Sequence, residues 1–337
     1  MSGKILQNST GTPKVGEYLS RLRKEPVNGV PCYRVSGILS TMGTLIRVSI
    51  IHSDPVEAQE AVRVAFKEIL RVNGLMSPYL EESEPSQLNR KGHYQVTGDT
   101  KYVIERAILF SKLTEGAFDI TCLPLLKVWQ KNQQPSWEQV ERALELVDYR
   151  KLRLDDHTAK LERKGMGITL SGIAKGYAAD KAVQVLRERN IRHALVNAGG
   201  DIRVMGGKSD SLPWRIGLYN PLNRRRLPLT IYLREGAIAT SGLYSRGSRD
   251  ILDARTGQLA REVLSSTVIA RTALEADALA TSVFILGTRG GLELAGQAGA
   301  EALLIGASGE LVKTERFFSF SNPGYYPMKN SRRFLQE

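Results

Sequence analysis

The chain has 337 residues, 42% hydrophobic and 24% charged, a balance that excludes a disordered or fibrous protein and indicates one large globular domain or two closely associated ones. It contains no uninterrupted apolar run of about 18 residues and no apolar signal-peptide core, so we expect a cytoplasmic protein without a membrane span. The net charge of +12 suits an anionic cofactor or a solvated basic surface, and the lack of helix-turn-helix, RNP-like and zinc-finger patterns argues against nucleic-acid binding.

In chain order, the first part of the sequence predicts an arm, then two strands and a helix. Residues 1–30 are polar and contain prolines and glycines, so we predict a flexible N-terminal arm. Residues 33–51 indicate two strands joined by a short turn. Residues 55–74 have the apolar spacing of an amphipathic helix, with Pro55 as its first residue.

The remainder alternates between helical and strand patterns. The predicted elements are a loop-rich segment at 75–100, a helix at 100–115 ended by Gly116, a helical stretch near Trp129, a short helix at 136–150, a β-hairpin at 151–164, strands at 214–219, 228–233, 265–270 and 302–305, a turn-rich loop at 239–257 and a helix at 272–286. No repeat or linker interrupts residues 40–320. We therefore predict one compact α+β unit of mixed sheets and flanking helices, with a division into two lobes left open.

The centre of the chain, residues 167–204, predicts a strand, a glycine turn, a helix and a second strand. Ile168–Leu170 indicates the end of a strand, Ser171-Gly172 a turn, and the residues from Ala174 onward a helix. A helix that begins after a small-residue turn offers free backbone N–H groups to phosphate, and Lys175 adds a positive charge. The pattern is neither a dinucleotide fingerprint nor a P-loop, so an ordinary strand–helix–strand unit is the alternative.

Two further candidate sites can carry chemistry. Asp277 and Thr281 are four residues apart, so they share one helix face and can hold a hard cation. The alternative is a polar first turn in which Thr281 bonds to a carbonyl. Asp119 follows Gly116, where the backbone can approach a ligand closely, although its carboxylate can equally stabilise a turn.

The histidines and cysteines exclude other classes of enzyme. The four histidines are scattered, and none forms an H-E-x-x-H pattern or a Ser/His/Asp arrangement. Cys32 and Cys122 have no metal-type spacing and cannot make a disulfide framework. A zinc enzyme or a serine hydrolase is therefore not expected.

Taken in order, nine short motifs resemble one family, the ApbE family of FAD:protein FMN transferases. The matching pieces are Met42-Gly43-Thr44, Met76-Ser77 with Tyr79, Ser86 with Leu88-Asn89, GAFDIT (116–121), SGIAKGYAAD (171–180), NAGGDI (197–202), AIATSG (237–242), DILDARTG (250–257) and ADALATSVFILG (276–287). The resemblance covers roughly residues 40 to 290 and implies an ApbE-like, T-fold-related domain, which we place at 31–325, followed by a tail at 326–337.

The resemblance also implies an activity and a set of site residues. The family binds FAD as a substrate with Mg²⁺, cleaves the pyrophosphate, releases AMP and attaches FMN to a Ser or Thr hydroxyl of an acceptor protein. The expected flavin contacts are Met42, Tyr79, Ala117, Phe118, Asp119, Thr169, Lys175 and Ile251. The expected metal ligands are the Gly172 carbonyl and the side chains of Asp277 and Thr281.

Two positions depart from the family pattern. Thr169 stands where the family usually has aspartate, which replaces a carboxylate contact by a hydroxyl. Asp250 stands where the family usually has the histidine expected to act as base. We predict Asp250 as the base and Lys175 as the phosphate-supporting catalytic residue, although a carboxylate with a reference pKa of about 3.9 is a weaker base near neutrality. The alternatives are an FAD-binding protein that does not transfer FMN and a Mg²⁺-dependent FAD pyrophosphatase.

Overall fold

The structure is a computed structural model that describes residues 21–24, 31–219, 221, 226–243 and 251–324. The described residues form both helices and sheets, which confirms the predicted α+β class. The strands are β1 (Arg21–Lys24), β2 (Tyr33–Thr41), β3 (Thr44–His52), β4 (His93–Gln95), β5 (Leu152–Asp155), β6 (Thr158–Leu161), β7 (His193–Ala198), β8 (Asp201–Met205), β9 (Trp214–Tyr219), β10 (Arg226–Leu233), β11 (Gly236–Gly242), β12 (Leu252–Asp253), β13 (Gln258–Leu259), β14 (Val263–Ala270), β15 (Glu301–Gly306) and β16 (Leu311–Lys313). The helices are α1 (Pro55–Met76), α2 (Glu84–Lys91), α3 (Gly98–Leu113), α4 (Leu123–Lys131), α5 (Trp137–Leu144), α6 (Ala174–Glu188) and α7 (Ala273–Gln297).

One large sheet organises the molecule. Within the described residues it has nine strands in the order β1-β2-β3-β7-β8-β11-β14-β15-β16. Every neighbouring pair in it is antiparallel. Smaller sheets are formed by β9 with β10, by β12 with β13, and by β4, β6 and β5.

Both faces of the large sheet are covered. Alternation along β3 directs Ile46, Val48 and Ile50 toward helices α1, α6 and α7, where they join the main core. On the opposite face, the β9–β10 hairpin and a 3₁₀ turn at Phe317–Ser321 cover the sheet around the buried Trp214. The large sheet is therefore buried between two apolar layers.

Local sequence signals account for the helix starts. Pro55 is the first residue of α1, and the Asp54 carboxylate accepts hydrogen bonds from Val56 N at 2.8 Å and Glu57 N at 3.3 Å. In α7, Thr272 and Glu275 form a reciprocal capping box. These caps satisfy backbone donors that would otherwise lack partners.

Several sequence-based boundaries were wrong. The segment 75–100 contains α2 and β4, because Ser83 caps a short helix with Pro85 in its first turn. Helix α1 continues to Met76, beyond the predicted end at residue 74. The predicted helix 272–286 ends where α7 has a kink at Gly287, with φ of 72°, and a second helical segment that was not predicted continues from there to Gln297. The predicted loop from residue 239 begins as part of β11. Ile168–Leu170 is not a strand, and only an isolated bridge joins Gly167 to Cys122.

Parts of the predicted domain plan lie outside the described residues. Within the predicted arm 1–30, the structure describes β1, which pairs with β2. The tail 326–337 is not described. None of the described helices combines the length and the apolar character that crossing a bilayer requires.

The start of α7 is held by a carboxylate from α6. Asp180 accepts hydrogen bonds from Ala273 N at 2.9 Å and Leu274 N at 2.8 Å, and Arg203 Nε lies 3.2 Å from its Oδ1. Burial raises the pKa of Asp180 to about 6, against the opposing charge of Arg203. Asp180 therefore fixes where α7 begins relative to α6.

We expect Asp180→Ala to lower the free energy of unfolding by about 2 kcal/mol, because two helix N–H groups lose an acceptor and Arg203 loses an ion-pair partner. Chemical denaturation of both proteins would measure the difference. Glu293→Ala is the control, since Glu293 is an exposed residue of α7 whose only ion-pair partner among the described residues is Arg289, and its effect should stay within about 0.5 kcal/mol. Equal stability of the Asp180→Ala variant and the unmodified protein would contradict the anchoring role.

Candidate active site

The site is built where the first turns of α6 and α7 meet. Gly176 in α6 lies so close to α7 that a Cβ atom there would stand 2.1 Å from the Ala273 carbonyl oxygen. Gly176 N donates to Asp277 Oδ2 at 3.0 Å. A residue of α7 thus satisfies a backbone donor of the first turn of α6, and residues 101 positions apart become neighbours.

Lys175 stands between two carboxylates. Its ammonium group bonds to Asp201, the first residue of β8, and lies 3.7 Å from Asp277 Oδ1. Burial opposes the charge of Lys175, but Asp277 and Asp201 hold its pKa above the ordinary value. Burial and the neighbouring Asp201 raise the pKa of Asp277 to about 7, against the attraction of Lys175. The cluster therefore combines a permanently charged lysine with a carboxylate that is costly to ionise.

The three predicted metal ligands lie together. Asp277 and Thr281 are one turn apart on α7, and a Cβ atom on Gly172 would stand 3.6 Å from Thr281 Oγ1. Because Gly176 N is directed to Asp277, no described backbone N–H donates to the Gly172 carbonyl. This leaves a carbonyl, a carboxylate and a hydroxyl oxygen, which are ligands of the kind that Mg²⁺ prefers.

Two adjoining cavities flank these groups. The smaller, of about 70 Å³, is lined among others by Ala117, Phe118, Asp119, Thr169, Gly172, Ile251 and Thr281. The larger, of about 360 Å³, is lined among others by Met42, Tyr79, Ser171 and Lys175. Leu126 and Ser171 line both. The structure therefore brings the predicted flavin and metal residues that it describes to one connected region.

The mouth of the larger cavity is formed by a tight turn and an exposed ring. Met42 and Gly43 have φ of 53° and 70°, the left-handed geometry of a two-residue hairpin turn between β2 and β3. Tyr79, after the end of α1, is 83% exposed. An exposed aromatic ring beside a cavity can stack on a flat ligand.

Asp119 is held by the protein itself. Its Oδ1 accepts from Thr121 N and Thr121 Oγ1, both at 2.7 Å, and its Oδ2 accepts from Tyr149 N at 2.8 Å. Burial raises the pKa of Asp119 in spite of these bonds. The turn-stabilising role considered from the sequence is thus present, and the residue lines the smaller cavity as well.

A comparison with known protein families decides the affiliation of the chain. The model of the ApbE family matches residues 42–304, which is most of the sequence. The chain belongs to the ApbE family.

Individual relatives agree with this assignment. The FAD:protein FMN transferase of Vibrio cholerae is 30% identical over 274 residues, covering 76% of this chain and 82% of that protein. The Treponema pallidum transferase is 31% identical over 278 residues, covering 73% and 77%. Among solved structures, the flavin transferase ApbE from Vibrio cholerae superposes with a TM-score of 0.78 at 28% identity, covering 88% of this chain and all of that one. The ApbE protein of Thermotoga maritima gives 0.79 at 31% identity, covering 91% of this chain and all of its own.

Of the two residues that depart from the ApbE pattern, the structure describes Thr169 but not Asp250. Thr169 Oγ1 lies 2.9 Å from Ser171 Oγ and accepts from Ser171 N at 3.3 Å, so its hydroxyl shapes the turn that carries Gly172. Asp250, the predicted base, lies outside the described residues.

Sequence reasoning missed two residues of the site. Asp201 was quoted within NAGGDI without a role, and Ser241, within AIATSG, bonds through its Oγ to Thr281 Oγ1 at 3.1 Å. Both motifs were recognised in the sequence, but only the antiparallel pairing of β8 with β11 brings these residues toward α6 and α7. The signal available in the sequence was that Asp201 and Ser241 are both polar residues within motifs that resemble the ApbE family.

We expect Gly172→Ala to lower FAD affinity about tenfold with a stability change below about 1 kcal/mol. The added methyl group would stand 3.2 Å from Phe118 Cε2 beside Thr281, so it narrows the region between the cavities without meeting backbone. Flavin fluorescence titration and thermal unfolding would measure the two effects. Gly296→Ala is the control, because a Cβ atom there meets nothing within 4 Å. Unchanged FAD affinity of the Gly172→Ala variant would contradict a ligand position at this junction.

Proposed function

We propose that this ApbE-family protein is an FAD:protein FMN transferase that moves FMN from FAD to a Ser or Thr hydroxyl of an acceptor protein. The observation that carries the proposal is the meeting of Lys175, Asp277, Thr281 and Gly172 between two adjoining cavities. A cation and three oxygen donors beside a divided cavity suit a pyrophosphate with a bulky group at each end. A cytoplasmic location remains a prediction from the sequence.

FAD would span the two cavities. The residues that the resemblance assigns to flavin are distributed over both, with Phe118 and Ile251 in the smaller and Met42 and Tyr79 in the larger. Lys175 lines the larger cavity, so the pyrophosphate would lie near the junction. Its positive charge, maintained by Asp201 and Asp277, would hold the phosphate oxygens.

The Gly172 carbonyl, Asp277 and Thr281 would hold Mg²⁺, and the bound ion would neutralise charge on the pyrophosphate. The Ser241–Thr281 bond would orient the threonine hydroxyl. Among the described residues no group of three or more His, Cys, Asp or Glu forms a metal site, so the metal ligands would include neutral oxygens of Gly172 and Thr281. The protein's contribution is to fix these oxygens on two helices and one turn.

In the transfer step, the acceptor oxygen attacks the phosphorus of the FMN half of FAD. One P–O bond forms to the Ser or Thr, the P–O bond to the AMP phosphate breaks, and AMP leaves with the bridging oxygen. The hydroxyl proton passes to a base, for which we propose Asp250. Lys175 would hold the phosphates in line for this attack, which is mainly a problem of positioning.

The two departures from the family pattern favour two alternatives to transfer. Without the usual aspartate at Thr169 and the usual histidine at Asp250, the protein could bind FAD without transfer, or hydrolyse it to FMN and AMP with water as acceptor. These activities differ from transfer in their products.

The test is incubation of the full chain with FAD and MgCl₂, with and without an acceptor protein that carries a Ser/Thr flavinylation sequence. AMP release and in-gel flavin fluorescence would be measured together. A fluorescent acceptor with equimolar AMP is the expected result. AMP without labelled acceptor would favour hydrolysis, and FAD binding without either product would overturn the enzymatic proposal. With labelling established, Asp250→Asn tests the base, and we expect its rate to fall about 100-fold or more.

A further inference from the structure

One motif that resembles the ApbE family, Ser86 with Leu88-Asn89, lies in helix α2, and none of its residues lines either cavity. Leu88 is fully buried in the main core. At the start of the helix, the Glu84 carboxylate accepts a hydrogen bond from Thr97 N at 3.1 Å. Asn89 therefore projects from a short helix that the body of the protein holds in place.

The side-chain amide of Asn89 makes two hydrogen bonds to the backbone of Ile168. Its Nδ2 donates to Ile168 O at 2.9 Å, and its Oδ1 accepts from Ile168 N at 2.6 Å. The two residues are 79 positions apart in the chain. Because an asparagine amide carries one acceptor and a donor side by side, it bonds to Ile168 as the peptide groups of a neighbouring strand would.

These bonds are needed because the segment around Ile168 is buried outside the strands of the sheets. Ile168 is 1% exposed, and buried backbone N–H and C=O groups almost always have partners. Asn89 supplies both partners for Ile168. The next residue, Thr169, donates through its N–H to Ile120 O at 2.8 Å, within the GAFDIT motif. The segment is thus held by α2 and by the loop that lines the smaller cavity.

The packing around this segment is close at Gly167. A Cβ atom there would stand 3.3 Å from Asn89 Oδ1 and 3.0 Å from Leu123 Cδ2. Both distances are shorter than the optimal contact of about 3.5–4.0 Å between carbon atoms. The segment therefore fits between α2 and α4 only as glycine backbone, which leaves it little freedom to shift.

Gly172 lies in the turn that follows, between two fixed points. One is Ile168, held by Asn89 four residues earlier. The other is the start of α6, where Ala174 N donates to Leu170 O at 2.9 Å. The position of the Gly172 carbonyl relative to α7 therefore depends on the bonds that Asn89 makes.

We propose that Asn89 is a positioning residue whose bonds to Ile168 set the place of the Gly172 carbonyl, and hence the affinity of the site for Mg²⁺. The inference rests on the proposed function and adds a residue that contacts neither cavity. A displaced carbonyl would leave Asp277 and Thr281 without their third protein ligand. Residues that orient metal ligands typically change metal affinity by about 10–100-fold when they are substituted.

FAD affinity with and without Mg²⁺ separates this role from folding. The full chain would be titrated with FAD by flavin fluorescence, once in MgCl₂ and once in EDTA. Because Mg²⁺ would join the phosphates to the site, the unmodified protein should bind FAD more tightly in MgCl₂. Asn89→Ala should reduce the ratio of the two dissociation constants about tenfold, since it removes both bonds to Ile168.

Two further variants show whether the amide itself is responsible. Val103→Ala is the stability control, because Val103 is a fully buried core residue of α3 that lines neither cavity. It should lower the melting temperature by a few degrees, as Asn89→Ala should, but keep the Mg²⁺ effect on FAD binding. Asn89→Asp keeps the size of the side chain and the acceptor for Ile168 N. At pH 8 it replaces the donor by a carboxylate oxygen facing Ile168 O, so it should lose the Mg²⁺ effect as alanine does.

The outcomes separate the role of Asn89 from the proposed function. A Mg²⁺ effect that is unchanged in Asn89→Ala or in Asn89→Asp, or that is lost equally in Val103→Ala, would overturn the positioning role and leave the transferase function standing. FMN transfer to an acceptor protein by the unmodified chain would be measured in parallel. Labelling without any Mg²⁺ effect on FAD binding would overturn this inference alone, whereas absence of both would overturn the proposed function and this inference with it.

Discussion

We expect the Asp277→Asn variant to transfer FMN at least about 100-fold more slowly than the unmodified protein and to remain folded. Asp277 is the only carboxylate among the proposed metal ligands, and its Oδ1 also faces Lys175 at 3.7 Å. Asparagine keeps the size and one oxygen but removes the negative charge. The affinity for Mg²⁺ should therefore fall, and Lys175 should lose one of the two charges that position it.

The fold should survive because the structural bond of Asp277 does not require its charge. Gly176 N can donate to the asparagine oxygen as it does to Asp277 Oδ2. Burial and Asp201 raise the pKa of Asp277, so its ionised form costs folding free energy once the pH exceeds the unfolded value of about 3.9. Without Mg²⁺, the variant should therefore melt at a higher temperature than the unmodified protein at pH 8, and this difference should vanish below about pH 4.

Glu275→Gln is the matched control, since it makes the same carboxylate-to-amide change two residues earlier. Glutamine can maintain the capping box with Thr272, and Glu275 pairs with Arg106 rather than with the site. FMN transfer would be measured against Mg²⁺ concentration for all three proteins. Transfer by Asp277→Asn within about fivefold of the unmodified rate would exclude Asp277 as a metal ligand.

The elements that sequence predicted well are those whose signals are local. The start of α1 follows from Pro55, and the hairpin of β5 and β6 lies within the predicted 151–164. Helix α2 was missed because its eight residues carry few apolar side chains and its stability depends on the Ser83 cap and on burial of Leu88. The predicted helix end at residue 286 coincides with the kink at Gly287, but the second helical segment of α7, which runs to Gln297, was not predicted.

For the site, motif order predicted the participants but not their arrangement. Lys175 and Asp277 were each weak candidates, and only the contact of α6 with α7 makes them neighbours. Asp201 had no local signal of function, since its role depends on where β8 begins relative to α6.

The close contact between α6 and α7 at Gly176 leads to a second prediction with a large expected effect. We expect Gly176→Ala to lower the free energy of unfolding by about 3 kcal/mol and to abolish most FMN transfer. The new methyl group would stand 2.1 Å from Ala273 O and 2.5 Å from Ala273 C. Both are backbone atoms of α7, so the conflict cannot be relieved by a side-chain rotation. The helices must separate, and Gly176 N then loses Asp277.

This result would oppose what helix propensity alone predicts, because alanine is favoured over glycine inside a helix by about 1 kcal/mol. Gly74→Ala is the control that isolates propensity. Gly74 lies within α1, and a Cβ atom there meets nothing within 4 Å, so the variant should be more stable by about 0.5–1 kcal/mol with normal transfer. If the contact between α6 and α7 determines the site, denaturant unfolding should give a lower free energy of unfolding for Gly176→Ala and a higher one for Gly74→Ala, each relative to the unmodified protein. A stabilised, active Gly176→Ala protein would mean that the two helices are farther apart than described, and that Lys175 and Asp277 do not act as one unit.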